Sequence, residues 1–157
     1  MGEIIFDYKL DLKVVESERK AGNIREYDID WLKGICNGRI FIFFDSVNSE
    51  KRNFMLLETG IIDYLLQFEN MFSYKEEPDY VFSLVSCDYY SNSNYFKYTL
   101  PDNLEIKEGN GGIYVINCKY SSFKKSYENF RKKVIGELIV YYPELLENNS
   151  FKDIFLK

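Results

Sequence analysis

From Ile4 to Val14 apolar residues alternate with polar ones: Ile4, Phe6, Tyr8, Leu10, Leu12 and Val14 against Asp7, Lys9, Asp11 and Lys13. Successive side chains of a strand point to opposite faces, so a period of two predicts a half-buried antiparallel strand. The polar stretch from Glu16 to Asn23 ends it. Ile24 to Ile29 reads as a short second strand, and Asp30-Trp31-Leu32-Lys33 as a helical turn before Gly34. Arg39 to Phe44 is apolar on both faces, the signature of a central strand. Ser46 to Asn53 is a polar turn, and Phe54 to Leu57 returns as the partner strand.

The period then changes. Ile61, Leu65, Phe68 and Phe72 stand at i, i+4, i+7 and i+11, which predicts an amphipathic helix with Thr59 as its N-cap and Asp63 in its first turns. Glu76-Glu77-Pro78-Asp79 breaks the chain. Tyr80 to Cys118 reads as a β-meander, with strands over Tyr80 to Cys87, Tyr95 to Leu100, Leu104 to Lys107 and Ile113 to Cys118. Pro101-Asp102-Asn103 is turn chemistry, and the Asn-Gly step in Gly109-Asn110-Gly111-Gly112 is a hairpin signal. A second helix runs from about Ser122 to Tyr142 on the stripe Phe123, Tyr127, Phe130, Val134, Leu138 and Tyr141. Pro143 stops it, and Glu144 to Phe155 forms a short helical tail. The expectation is one α+β domain over residues 1–157: a mostly antiparallel sheet of six to seven strands with two main helices on one face.

Composition supports a packed core. Hydrophobic residues make up 46% of the 157, with 14 Tyr, 13 Phe and the single Trp31. Aromatic side chains bury roughly 150–250 Å² each, so a core built from them is large per residue. The scarcity of Ala against Ile, Lys, Asn, Phe and Tyr fits the AT-rich genome of a low-GC bacterium. The start has no basic region followed by a long apolar stretch, and no segment holds the ~18 apolar residues of a membrane helix. A cytoplasmic protein is expected. Cys36, Cys87 and Cys118 are odd in number and widely spaced, so they read as small buried hydrophobes rather than a disulfide or zinc framework.

No histidine occurs in the chain. That excludes a Ser-His-Asp triad, a Cys-His pair and the common zinc motifs built from this chain alone. Carboxylates are the commonest acid/base groups left. Asp28 and Asp30 would share one face of a strand, and Glu58 and Asp63 flank a helix start. A Mg²⁺-dependent hydrolase or nuclease is therefore the alternative reading. Ser121-Ser122-Phe123-Lys124-Lys125 carries SxxK spacing without its companion motifs, and reads as a serine N-cap followed by solvated lysines. The glycine run feeds a strand rather than a helix, so it is a hairpin turn and not a phosphate cradle.

Charge narrows the partner. The chain carries −5 overall, yet Lys119 to Lys133 holds six basic residues against one acid. The remainder is therefore at −10, a surface that repels nucleic acid and attracts basic proteins. The basic helix face pairs with solvent or with the chain's own acids. Asp88-Tyr89-Tyr90-Ser91-Asn92-Ser93-Asn94-Tyr95 has the Tyr/Ser/Asn composition of adaptable recognition loops. With Glu76, Glu77 and Asp79 it forms the expected partner patch: Glu76, Glu77, Asp79, Asp88, Tyr89 and Tyr90. The leading reading is a small non-catalytic protein-binding protein without cofactor or metal, of the immunity or antitoxin kind, that masks a basic partner. A structural or homodimeric protein using an exposed sheet face is a third.

Overall fold

A computed structural model describes residues 4–44, 53–73, 81–85, 93–108 and 115–157. It is α+β, with two antiparallel sheets where the sequence suggested one. Strands β1 (Ile4–Leu10), β2 (Asn37–Phe44) and β3 (Asn53–Gly60) form the first, in that order. The second is the anticipated meander: β4 (Val81–Val85), β5 (Ser93–Thr99), β6 (Asn103–Glu108) and β7 (Val115–Lys119).

The β1 alternation holds only to Leu10. Ile4, Phe6 and Leu10 are buried while Ile5, Asp7 and Lys9 are exposed. Helix α1 (Leu12–Ala21) then replaces the expected end of the strand and the polar stretch after it. The Asp11 carboxylate accepts the Lys13 N–H at 3.2 Å as the N-cap, and Lys20 pairs with Glu16 across one turn. A capping Asp at the strand's end outweighs two further apolar residues at strand spacing. β2 is central as expected, pairing Phe6 with Ile42 on one side and Leu57 with Ile40 on the other.

Helix α3 (Ile61–Ser73) follows β3 without a loop. Thr59, the expected N-cap, lies in β3 opposite Gly38, and Gly60 is the residue that immediately precedes the helix. Gly60 is required at this junction, since a Cβ there would lie 2.3 Å from the Lys33 carbonyl oxygen. Helix α4 (Tyr120–Tyr141) buries Phe123, Tyr127, Phe130, Val134 and Leu138 as read, with Tyr120 and Ile135 added. Tyr141 is on the exposed side; the chain leaves the helix at Tyr142, whose side chain turns inward instead. The tail comprises a 3-10 turn over Pro143–Glu147 and helix α5 (Asn149–Phe155).

Both sheets feed one hydrophobic core, because α3 and α4 touch strands of each. Phe123 is the hub. Its ring lies 5.1 Å from Phe6 on β1, 6.3 Å from Phe44 on β2, 5.9 Å from Phe96 on β5, and 6.1 Å from both Phe68 and Phe72 on α3. Two helices shared between two sheets, rather than lying on one face of a single sheet, is the principal correction to the expected architecture.

The start of α4 also differs from the expected serine cap. Lys119 occupies the cap position with no side-chain bond. Asp102, from the β5–β6 turn, does the capping across space: its carboxylate accepts the Ser121 N–H at 2.9 Å and the Ser121 hydroxyl at 2.5 Å. These bonds hold the Asp102 carboxyl below its usual range. A carboxyl whose pKa falls on folding adds stability above its unfolded pKa and loses it as pH drops through the folded value. Asp102→Asn should therefore lower the melting temperature at pH 7, with the difference narrowing at about pH 3, below the ordinary Asp range, where the carboxyl's charge is being lost. Thermal unfolding at the two pH values checks this; an equal deficit at both would contradict it.

Candidate functional site

The segment between α1 and β2 is a chain of short turns whose apolar residues point inward. The expected strand over Ile24 to Ile29 does not form. Ile24–Glu26 is a single 3-10 turn, followed by the one-turn helix α2 (Ile29–Leu32), which matches the helical turn read from sequence. Asp28 is the α2 N-cap, its carboxylate accepting the Trp31 N–H at 3.0 Å. Ile24 and Leu32 are buried and Ile29 packs on the core. With positions 29 and 32 facing inward, Trp31 between them must face out.

Trp31 is 66% exposed. Tyr27 lies against it with ring centroids 5.6 Å apart and planes tilted by 31°. Tyr27 in turn rests over Gly22, where a Cβ would fall 1.9 Å from the phenolic oxygen. Around this pair runs a surface groove of about 410 Å³, bordered by Asn23, Glu26, Tyr27, Asp28 and Trp31. Glu26 and Asp28 are exposed, and neither forms an ion pair among the described residues. Asp30 is exposed and lies 3.7 Å from Lys33, while neighbouring Arg25 is engaged by Glu147.

One buried side chain fixes the groove's floor to the far end of the chain. Asn148, with no exposed surface, donates to the carbonyls of Ile24 at 2.7 Å and Tyr27 at 2.9 Å. Its own oxygen caps α5 by accepting the Phe151 N–H at 2.9 Å.

A second, larger groove of about 610 Å³ lies between α1 and the end of α4, with Leu12, Val15 and Tyr141 among its walls. Its charges are matched internally: Arg19 meets Glu144 at 2.8 Å and Lys20 meets Glu16 at 2.6 Å. Such a groove offers apolar area with no outstanding charge, whereas the Trp31 groove offers both.

Behind the second groove is a polar cluster with the ingredients of chemistry but not its settings. Glu18 accepts the Cys36 N–H at 3.0 Å and the Tyr142 hydroxyl at 3.2 Å. Burial lifts the Glu18 carboxyl above its ordinary range and pushes the Cys36 thiol and the Tyr142 phenol well up. A thiol held protonated is a poor nucleophile, and the cluster braces the positive-φ turn at Cys36. Burial likewise raises the Cys118 thiol, to about 12. Cys87 lies outside the described residues.

The acids singled out for metal chemistry are not brought together by the turns that hold two of them. Asp28 caps α2, Asp30 faces solvent, and Asp63 is buried in the first turn of α3. The side chain of Glu58, on β3, is outside the description. Among the described residues no group of three or more Cys, Asp or Glu could hold a metal ion. The basic face of α4 is partly matched by the chain's own acids, through Lys133 with Asp7 at 3.6 Å and Arg131 with Glu69 at 2.5 Å. No helix among the described residues is long and apolar enough to cross a membrane.

Glu76, Glu77, Asp79, Asp88, Tyr89 and Tyr90 all fall outside the described residues. The Trp31 groove was missed in the sequence, although a signal was present. A lone Trp one residue before an apolar Leu, on a turn too short to bury both, has to face outward. No family model, curated protein or solved structure matches this chain, so its site is read from its own chemistry.

Proposed function

We propose that this protein is a non-catalytic binding protein that occupies a basic protein partner, in the manner of an immunity or antitoxin protein. The observation that carries the reading is the single Trp, two-thirds exposed and backed by Tyr27, beside the carboxylates of Glu26 and Asp28, which no cation among the described residues pairs. Trp and Tyr dominate the energetics of protein interfaces because they offer large rigid area at low entropic cost. An indole left two-thirds in solvent is apolar area that a partner can bury. The unmatched carboxylates add steering toward a positive surface. The acidic, tyrosine-rich stretch with Glu76, Glu77, Asp79, Asp88, Tyr89 and Tyr90 supports the same reading on composition and forms a second arm of the test.

The experiment is affinity capture from the native cell followed by titration of the captured protein. A variant carrying Glu26→Lys, Asp30→Lys and Trp31→Ala should bind a basic partner roughly thirtyfold or more weakly, the scale of an interface hot spot. Its thermal melting should fall only slightly, since all three side chains are exposed and give up no more than the Tyr27 ring contact and the Asp30–Lys33 pair. A parallel variant reversing Glu76, Glu77, Asp79 and Asp88 tests the second stretch. Full affinity in both variants would overturn the reading.

A further inference from the structure

The groove around Trp31 also specifies which group of a partner it takes, an inference that rests on the binding role just proposed. We infer that it receives an arginine side chain of the partner protein. The guanidinium stacks on the open face of Trp31, and its N–H groups donate to the carboxylates of Glu26 and Asp28.

Three features select this ligand. Tyr27 covers one side of the indole at 5.6 Å and a tilt of 31°, leaving two-thirds of the residue open to an incoming plane. Cations favour the faces of aromatic rings, and Trp most of all. The two carboxylates on the same rim are unmatched by any described cation, and Asp28 spends one oxygen on the Trp31 N–H while keeping the other. A planar ligand that both stacks and donates in a fork meets all of this at once. Guanidinium does so; an ammonium is a compact point charge that can satisfy either the ring or a carboxylate.

The openness of the groove selects a side chain over a free small molecule. A site for a free ligand encloses most of its surface. Here the aromatic platform is on the outside, so the rest of the ligand must be held elsewhere, as a residue of a docked protein is. Phosphate-bearing partners are disfavoured, because Glu26, Asp28 and Asp30 would all repel them.

Trp31 is the only Trp of the chain, so its fluorescence reports on this groove alone. The test titrates the full-length protein with an arginine-containing hexapeptide and with the same peptide carrying citrulline, the neutral isostere. The arginine peptide should change Trp31 emission saturably and bind at least about fivefold more tightly than the citrulline peptide. Glu26→Gln should weaken the arginine peptide severalfold and leave the citrulline peptide unaltered. Equal binding of the two peptides, binding of neither, or indifference to Glu26→Gln would each overturn the assignment. If the arginine peptide fails while the native partner is still lost from the Trp31 variant, the guanidinium assignment falls and the binding role stands. If the peptide binds while the partner ignores that variant, the groove is a guanidinium site and the proposed function falls.

Discussion

Phe123→Ala is expected to destabilise the protein by about 3–5 kcal/mol, the cost of deleting a fully buried aromatic ring. The physical reason for the upper part of that range is connectivity. Phe123 has no exposed surface and touches rings from β1, β2, β5 and α3, so the vacated volume is walled by elements of both sheets. Closing the cavity would require elements of both sheets to shift together, and α3 is in contact with each sheet. Partial relaxation is therefore small, and the cavity term persists alongside the lost transfer energy. Equilibrium unfolding in urea measures the loss directly. Phe123→Leu, which retains most of the volume, should lose distinctly less. A loss below about 1 kcal/mol for the alanine variant would mean that the ring is not the bridge described here.

Asn148→Ala should cost about 2–3 kcal/mol, because it leaves the part-buried Tyr27 carbonyl and the Phe151 N–H without their partner and takes from the Ile24 carbonyl one of its two donors, the other being the Tyr27 N–H, at about 1–3 kcal/mol for each unsatisfied group. Its consequence at the groove matters more. Asn148 is the only side chain among the described residues seen to hold the Ile24 and Tyr27 carbonyls, and Tyr27 is the platform under Trp31. The variant should alter Trp31 fluorescence and weaken arginine-peptide binding even at temperatures where the protein stays folded. Asn148→Asp is the sharper variant. It is isosteric and keeps an acceptor for the Phe151 N–H, yet it turns two donors into acceptors facing carbonyl oxygens. It should be no more stable than the alanine variant at neutral pH. Retained wild-type stability and unchanged Trp31 emission in the aspartate variant would remove Asn148 from the account.

The two variants probe parts of the molecule that differ in how far they could be read in advance. The aromatic stripe of α4 was readable because Phe123, Tyr127, Phe130, Val134 and Leu138 recur at the helical period, and burial along a helix follows that period. Nothing in the spacing, however, states which strands a stripe will face. The role of Phe123 as a bridge depends on β5 arriving beside β1 and β2 through α3, a long-range outcome. The same limit applies to capping. Ser121 looks like a cap by type, but the Asp102 carboxylate, nineteen residues earlier, takes both of its polar groups. Local propensity ranks candidates within one turn of chain and is blind to a competitor brought in by a tight turn elsewhere.

The candidate site shows the contrast most clearly. Acidity and aromatic richness are legible in advance, because net charge and residue type are properties of composition. Composition singles out the tyrosine-rich stretch, which lies outside the described residues, while Trp31 reads in the sequence only as part of a helical turn. That turn is real, and its consequence is geometric. A single turn burying Ile29 and Leu32 must expose the residue beside Leu32.

What the chain alone determined was its class and its periods: a first strand from Ile4, a central β2, the four-stranded meander, the two long amphipathic helices, and an acidic net charge. Each is a local or summed property, set by neighbours within a few residues or by counting. What only the tertiary structure decided was the division into two sheets, the capping of α4 from the β5–β6 turn, and the anchoring of Tyr27 by Asn148 from 121 residues away. Those depend on which distant groups meet, and meetings of that kind follow from the simultaneous burial of all apolar faces and the pairing of every buried polar atom, conditions no single window of sequence contains.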